Sequence, residues 1–206
     1  MTVQLAALIK DNIDANPIRQ FQTWYDEVRA GGVSEQDAIS MTLATATKDG
    51  RPSARVVLLK SFDDRGFVFY TNYLSRKAKE LSENPRASLL FYWSQLWRQV
   101  RIEGDVDRVS DAESESYFQG RPVGSKLGAW ASNQSEVVEN RKLLEARFDE
   151  LQKRFGEEVP RPEHWGGYRV KPDTIEFWQG RDNRLHDRLR YRLQQNGEWL
   201  IERLAP

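Results

Sequence analysis

"AISMTLATATKDGRPSARVVLLKSFDDRGFVFYTN", running from Ala38 to Asn72, decides the fold class. It holds three apolar and β-branched runs separated by "KDGR" and "DDRG". Asp-Gly and nearby Gly turns between short runs of this kind close antiparallel hairpins. The spacing predicts strands near residues 39–47, 53–61 and 66–72. Further along, "ASLLFYW" and "RQVRIEGDVDRV" read as two more strands. "YRVKPDTIEFWQG", "RLHDRLRYRL" and "EWLIERL" close the chain, with the hairpin dipeptide Asn196-Gly197 between the last two.

Helical patterns fall between these groups. In "NPIRQFQTWYDEVRAGG" the residues Ile18, Phe21, Trp24, Tyr25 and Val28 recur at three- and four-residue steps, and Gly31-Gly32 stops the helix. Ser75 is placed to cap a short helix ending at Pro85. Ser110 and Glu113 have capping-box spacing. The longest pattern runs from Ser135 to Phe155, with Ser135 as its cap. Hairpin-linked strands with helices inserted between them define an α+β chain built on an antiparallel barrel with peripheral helices. A doubly wound parallel sheet is disfavoured, because strand–helix alternation and any G-x-G-x-x-G or G-x-x-x-x-G-K fingerprint are absent. The length of 206 residues suits a single domain over residues 16–206, preceded by an arm of residues 1–15 free to move.

Composition narrows the function. Lys and Arg number 31 and so do Asp and Glu, which argues against a dedicated nucleic-acid binder. Positive charge must then be local, and local charge suits a small anionic ligand. There is no cysteine, which removes disulfides, thiolate metal sites and a cysteine nucleophile. Two histidines do not make a His-rich metal centre, and no metal is expected. No apolar run approaches the ~18 residues a membrane span needs, and no cleavable leader is evident, so a soluble cytoplasmic protein with no membrane partner is expected.

Four cationic constellations stand out. On a regular strand, "RLHDRLRYRL" would put Arg184, His186, Arg188, Arg190 and Arg192 on one face. Like charges that close repel unless an anion or aromatic ring relieves them. Arg190 and Arg192 read equally well as surface or interface charge. In "SARVVLLK", Arg55 and Lys60 are five apart, so strand parity sends them to opposite faces. Ser75, Arg76 and Lys77 open a helix, where free N–H groups and the dipole favour a phosphate. In "YFQGRPVGSKLGAW", Tyr117, Arg121 and Ser125 supply donors for a second phosphate. No nucleophile–base–acid set is visible, so the chemistry is expected to come from a cofactor.

The motifs "ARVVLLK", "FYTNYLSRKAKEL", "RQVRIEG", "YFQGRPVGSKLGAWAS.QS", "WGGYRV", "EFWQG..NRLHDR" and "ERLAP" resemble the pyridoxine/pyridoxamine 5′-phosphate oxidase family, in order, from Asn16 to Pro206. The resemblance implies a split β-barrel, a homodimer, and FMN held at the subunit interface. It implies oxidation of pyridoxamine or pyridoxine 5′-phosphate to pyridoxal 5′-phosphate, with hydride passing from substrate C4′ to the flavin and O2 as final acceptor. By position, Arg55, Arg76 and Lys77 resemble the grip on the FMN phosphate. Val56, Val57, Leu58, Leu59, Lys60, Tyr70 and Thr71 resemble the flavin-lining segments. Gln99, Gln134, Ser135, Trp178 and Arg188 match further FMN contacts, some from the partner subunit. Lys60, Tyr117, Arg121 and Ser125 match a substrate-phosphate pocket. Arg184, Leu185 and His186 match residues that hold the substrate ring, with Arg184 and His186 as the catalytic pair. Arg184 cannot serve as a base at neutral pH, but it can stack on a pyridine ring. His186 could bond the substrate hydroxyl or assist proton movement. Two rivals stay open on the residues: a single-strand nucleic-acid binder on a small barrel, and a split-barrel flavin or deazaflavin enzyme with another substrate.

Overall fold

The computed structural model describes residues 7–206. Helix α1 (Pro17–Ala30) starts where Asn16 Oδ1 accepts from the Ile18 and Arg19 N–H groups, with Pro17 at the first helical position. It buries Ile18, Phe21, Trp24 and Val28 against the sheet. A short helix α2 (Glu35–Ile39) leads into β1 (Ser40–Ala46), β2 (Pro52–Leu58), β3 (Ser61–Asp63) and β4 (Gly66–Asn72). Then come α3 (Arg76–Glu83), β5 (Arg86–Trp93), β6 (Arg98–Arg108), α4 (Asp111–Gln119), α5 (Val123–Ala131) and α6 (Arg141–Phe155). The chain closes with β7 (Trp165–Gln179), β8 (Asp187–Leu193) and β9 (Trp199–Arg203).

All nine strands form one antiparallel sheet in the order β2-β1-β5-β6-β7-β4-β3, with β8 and β9 continuing from β7 as a branch. The sheet curls around a core of Phe21, Phe67, Phe69, Leu89, Phe91, Ile102, Val170 and Phe177, all fully buried. Burying each such side chain contributes roughly 1.5–3 kcal/mol. This is the α+β antiparallel barrel with peripheral helices that the hairpin pattern predicts, in the split form that the family resemblance implies. A second, smaller cluster of Phe118, Leu127, Val159 and Trp165 joins α4 and α5 to the start of β7.

Several local expectations need correction. The longest helix starts at Arg141, not Ser135. Its cap is Asn140, whose Oδ1 accepts from Leu143 N–H at 3.2 Å. Ser135 instead adopts a left-handed φ of 77°. Helix α5 (Val123–Ala131) takes up most of "GRPVGSKLGAW", which turn residues disguised. The expected strand 53–61 breaks after Leu58, and the expected strand 184–193 starts only at Asp187. Residues 1–6 of the expected arm lie outside the described residues. Its later part is tied down rather than free. Leu8 is buried, its N–H donates to Asp187 Oδ2, and its carbonyl accepts from Arg203. Asp14 offers its carbonyl to the Tyr191 hydroxyl at 2.6 Å.

Candidate active site

A cleft of about 770 Å³ opens where β2, the end of β4, the start of α3 and the α4–α5 connection converge. The outer strand β2 contributes Arg55, Val56, Val57 and Leu58, and Lys60 follows just beyond it. Strand parity separates Arg55 from Lys60, but the break after Leu58 resets it, and both line the cleft. Tyr70 and Thr71 come from β4, Arg76 and Lys77 from α3, and Gln134 and Ser135 from the segment before α6. Tyr117, Arg121 and Ser125 close the opposite side. Fourteen of the sequence-predicted site residues therefore meet in one place.

One end of the cleft gathers cations. Lys77 is buried, and its Nζ reaches Gln134 Oε1 at 2.7 Å, Thr71 Oγ1 at 3.1 Å and Ser75 Oγ at 3.3 Å. All three partners are neutral oxygens. Burial, and then the nearby Arg55 guanidinium, push the Lys77 ammonium down to about 8. Ser75 sits at the helix cap but makes no side-chain cap bond; the Arg76 N–H donates to Ser135 Oγ at 3.2 Å. A desolvated cation with no carboxylate bonded to it among the described residues, beside the guanidiniums of Arg55 on β2 and Arg76 at the start of α3, fits the phosphate of FMN. Behind the grip lies Glu80, which the sequence reading passed over. Burial acts to raise its pKa, but bonds from Ser53, Thr45, Arg76 and Arg55 outweigh that and bring it to about 2.

The other end is aromatic and cationic. Tyr70 and Tyr117 stack with ring centroids 3.9 Å apart and planes within 7°, and Trp165 lies parallel to both. Arg121 sits over the Trp165 ring at 4.5 Å, and its Nη1 is buried with no hydrogen-bond partner among the described residues. A buried, unpaired guanidinium donor is costly unless an anion meets it. Burial pulls the Arg121 pKa down. Gly167 makes this end possible. It faces Tyr70 across the β4–β7 pair, and a Cβ there would lie 2.8 Å from the Tyr70 ring.

The remaining predicted residues do not line this cleft. Leu59 is buried in the core. Gln99, Trp178 and Arg188 face one another in a rank across β6, β7 and β8. Trp178 is thirteen residues along β7 from Trp165, roughly 40 Å of strand. His186 packs on Trp178 at 4.7 Å, and its Nδ1 accepts from the Arg181 N–H at 3.1 Å. Arg184 and His186 precede β8, so they do not share a strand face with Arg188. Asn183 and Arg184 both take left-handed φ values, 55° and 62°, and Leu185 is exposed. Two consecutive non-glycine residues in this region store backbone strain.

The expected repulsion along the arginine face is also corrected. Arg188 pairs with Glu176 at 2.7 Å, and Arg190 and Arg192 both reach Glu202. Carboxylates on the neighbouring strands relieve it. Glu80, Glu176, Ser53 and Trp165 were missed from sequence. The i,i+4 spacing of Arg76 and Glu80 was the available signal for the first.

An antiparallel split barrel with a phosphate-sized cationic grip at a helix start defines a class, the FMN-binding split-barrel proteins. Residues 33–155 match the family model described as pyridoxamine 5′-phosphate oxidase. Residues 165–206 match the pyridoxine 5′-phosphate oxidase C-terminal dimerisation region. The chain belongs to the pyridoxamine 5′-phosphate oxidase family. It is 59% identical over 202 residues to the pyridoxine/pyridoxamine 5′-phosphate oxidase of Rubrobacter xylanophilus, covering 98% of this chain and 92% of that one. The enzyme of the same name from Trichormus variabilis is 56% identical over 203 residues, 98% and 94% of the two chains. Among solved structures, PhzG from Burkholderia lata, in complex with tetrahydrophenazine-1-carboxylic acid, superposes with a TM-score of 0.93 at 36% identity over all of both chains. An FMN-binding protein from Nostoc punctiforme shares the fold, with a TM-score of 0.73 at 18% identity over 90% of this chain and 97% of that one. Among the described residues, no helix is long and apolar enough to cross a membrane.

Proposed function

We propose that this protein is an FMN-dependent oxidase of pyridoxamine 5′-phosphate and pyridoxine 5′-phosphate. The products are pyridoxal 5′-phosphate and hydrogen peroxide, with ammonia released from the amine substrate. The observation that carries this reading is that two donor clusters line one cleft: Arg55, Arg76 and Lys77 form the first, and Lys60, Tyr117, Arg121 and Ser125 the second. A phosphorylated cofactor and a phosphorylated substrate each need one. FMN is the cofactor, and when bound it supplies the hydride acceptor.

The protein's own part is positioning. Arg121, with its unpaired buried donor, and Lys60 anchor the substrate phosphate, and that binding energy fixes the reacting carbon. The parallel Tyr70 and Tyr117 rings shape the wall and keep water out. Arg184 and His186 hold the pyridine ring. Because neither lines the cleft of its own protomer, we assign them, with Gln99, Trp178 and Arg188, to the cleft of the partner in a homodimer. The match of residues 165–206 to a dimerisation region supports that assignment.

The test is an absorbance spectrum of the FMN-loaded protein before and after anaerobic addition of pyridoxamine 5′-phosphate. Bleaching of the flavin band, followed by peroxide release on admitting air, is expected. The likeness to PhzG makes a reduced phenazine carboxylate the comparison substrate. Bleaching by that compound alone would overturn the proposal. Mixing an Arg121→Ala protomer with an Arg184→Ala protomer tests the shared site: mixed dimers regain one intact cleft, and restored turnover is expected.

A further inference from the structure

Glu80 is a carboxylate built into an anion site, and such a placement needs a reason. Only 3% of its surface is exposed. One oxygen, Oε2, accepts from Thr45 Oγ1 at 2.5 Å, Ser53 Oγ at 2.6 Å and Arg55 Nη2 at 3.2 Å. The other, Oε1, accepts from Arg76 Nε at 2.8 Å. Thr45 belongs to β1, Ser53 and Arg55 to β2, and Arg76 to α3. One side chain thus ties three elements together at the cleft wall. Arg55 adds bonds to Thr45 Oγ1 and Ser53 Oγ, so its guanidinium is braced on several sides.

Simple charge counting would leave Glu80 out, since a carboxylate repels a phosphate. Two effects favour keeping it. Long guanidinium side chains lose entropy when an anion orders them, and a grip already ordered avoids that loss. Three cations, Arg55, Arg76 and Lys77, against one carboxylate leave two net positive charges, which matches a phosphate monoester near neutral pH.

We propose that Glu80 is a positioning residue: it holds Arg55 and Arg76 in the geometry that recognises the terminal phosphate of FMN. The inference rests on the FMN reading above. It differs from a general structural role because it acts on the phosphate end of the flavin alone.

The experiment compares FMN with riboflavin, which lacks the phosphate, by quenching of flavin fluorescence on the apoprotein. In Glu80→Gln the two arginines lose their charged acceptor while the site gains net positive charge. Positioning predicts that FMN binding weakens by about 10- to 100-fold, the range found when an outer-shell partner of a metal ligand is removed, with riboflavin binding unchanged. Unchanged or tighter FMN binding overturns the proposal, because the carboxylate would then contribute only repulsion. Equal weakening of both flavins also overturns it, because the effect would be general. Glu80→Asp covers the case in which Glu80→Gln does not fold: it keeps the charge but withdraws the carboxylate by one methylene, and a smaller loss confined to FMN is expected. Failure of the parent protein to bind either flavin defeats the FMN reading instead, and so is distinguishable.

Discussion

Lys77 and Gln134 meet across 57 residues of sequence, with the lysine Nζ donating to the glutamine Oε1 at 2.7 Å. The contact joins the start of α3 to the segment before α6 and leaves the ammonium desolvated. Without an anion, this cation is charged below about pH 8 and neutral above it. The unfolded chain keeps the proton up to its ordinary value of 10.5. Between those values the unfolded state binds more protons, so burying the ammonium costs stability below about pH 8, and that cost fades as pH rises toward 10.5. A bound phosphate restores the charge. FMN affinity is therefore expected to fall as pH rises above about 8, with proton uptake on binding at pH 9. Calorimetry in two buffers of different ionisation enthalpy measures that uptake, and Lys77→Arg should abolish it. Affinity that stays flat from pH 7 to 10 would contradict this account.

Arg121→Ala should raise KM for pyridoxamine 5′-phosphate while sparing FMN binding. The Nη1 donor is buried and unpaired, so its partner is expected to be the substrate. Losing a charged hydrogen bond costs about 1.5–3 kcal/mol, or roughly 10- to 150-fold. Steady-state kinetics beside an FMN titration decide the matter, and an unchanged KM removes Arg121 from the substrate site.

Gly167→Ala should disturb the Tyr70–Tyr117 stack. The added methyl would sit 2.7 Å from Val109 Cγ2 and 2.8 Å from the Tyr70 ring. Overpacking of this kind costs about 1–3 kcal/mol. A denaturant melt of the apoprotein reports the loss, and a midpoint matching the parent's would show that the ring has somewhere else to go.

Arg184→Gly separates strain from function. Arg184 holds φ at 62°, a conformation glycine adopts without penalty. Relief of about 1–2 kcal/mol of strain is offset by roughly 0.5–1 kcal/mol of extra unfolded-state freedom. The melting temperature should stay near the parent's while kcat/KM falls and FMN affinity holds. Full activity in this variant would rule out a role for the guanidinium.

Much of the fold was legible because hairpin turns are local. "KDGR", "DDRG" and Asn196-Gly197 each placed a turn correctly, and four of the five residues of the α1 stripe, Ile18, Phe21, Trp24 and Val28, are buried, with Tyr25 half-buried. The cleft residues were legible chiefly through family resemblance. Errors arose where local rules were extended too far. Strand parity failed for Arg55 and Lys60 because β2 stops at Leu58, and it failed for Arg184 and His186 because β8 starts at Asp187. Ser135 looked like a helix cap, but its hydroxyl accepts from Arg76 instead. Glu80 and Glu176 escaped notice because a buried carboxylate looks like any surface acid until its arginine partners fold onto it.

The contacts of Leu8 with Asp187 and Arg203 carry a consequence for the order of assembly. Leu8 and Asp187 lie 179 residues apart, so their bond cannot form before β8 is in place. The same carboxylate then gathers Leu8, Arg181 and Arg203. His186 and Arg188 flank that carboxylate in sequence. The segment proposed to complete a neighbour's cleft is therefore held in part by a bond that closes a very long loop.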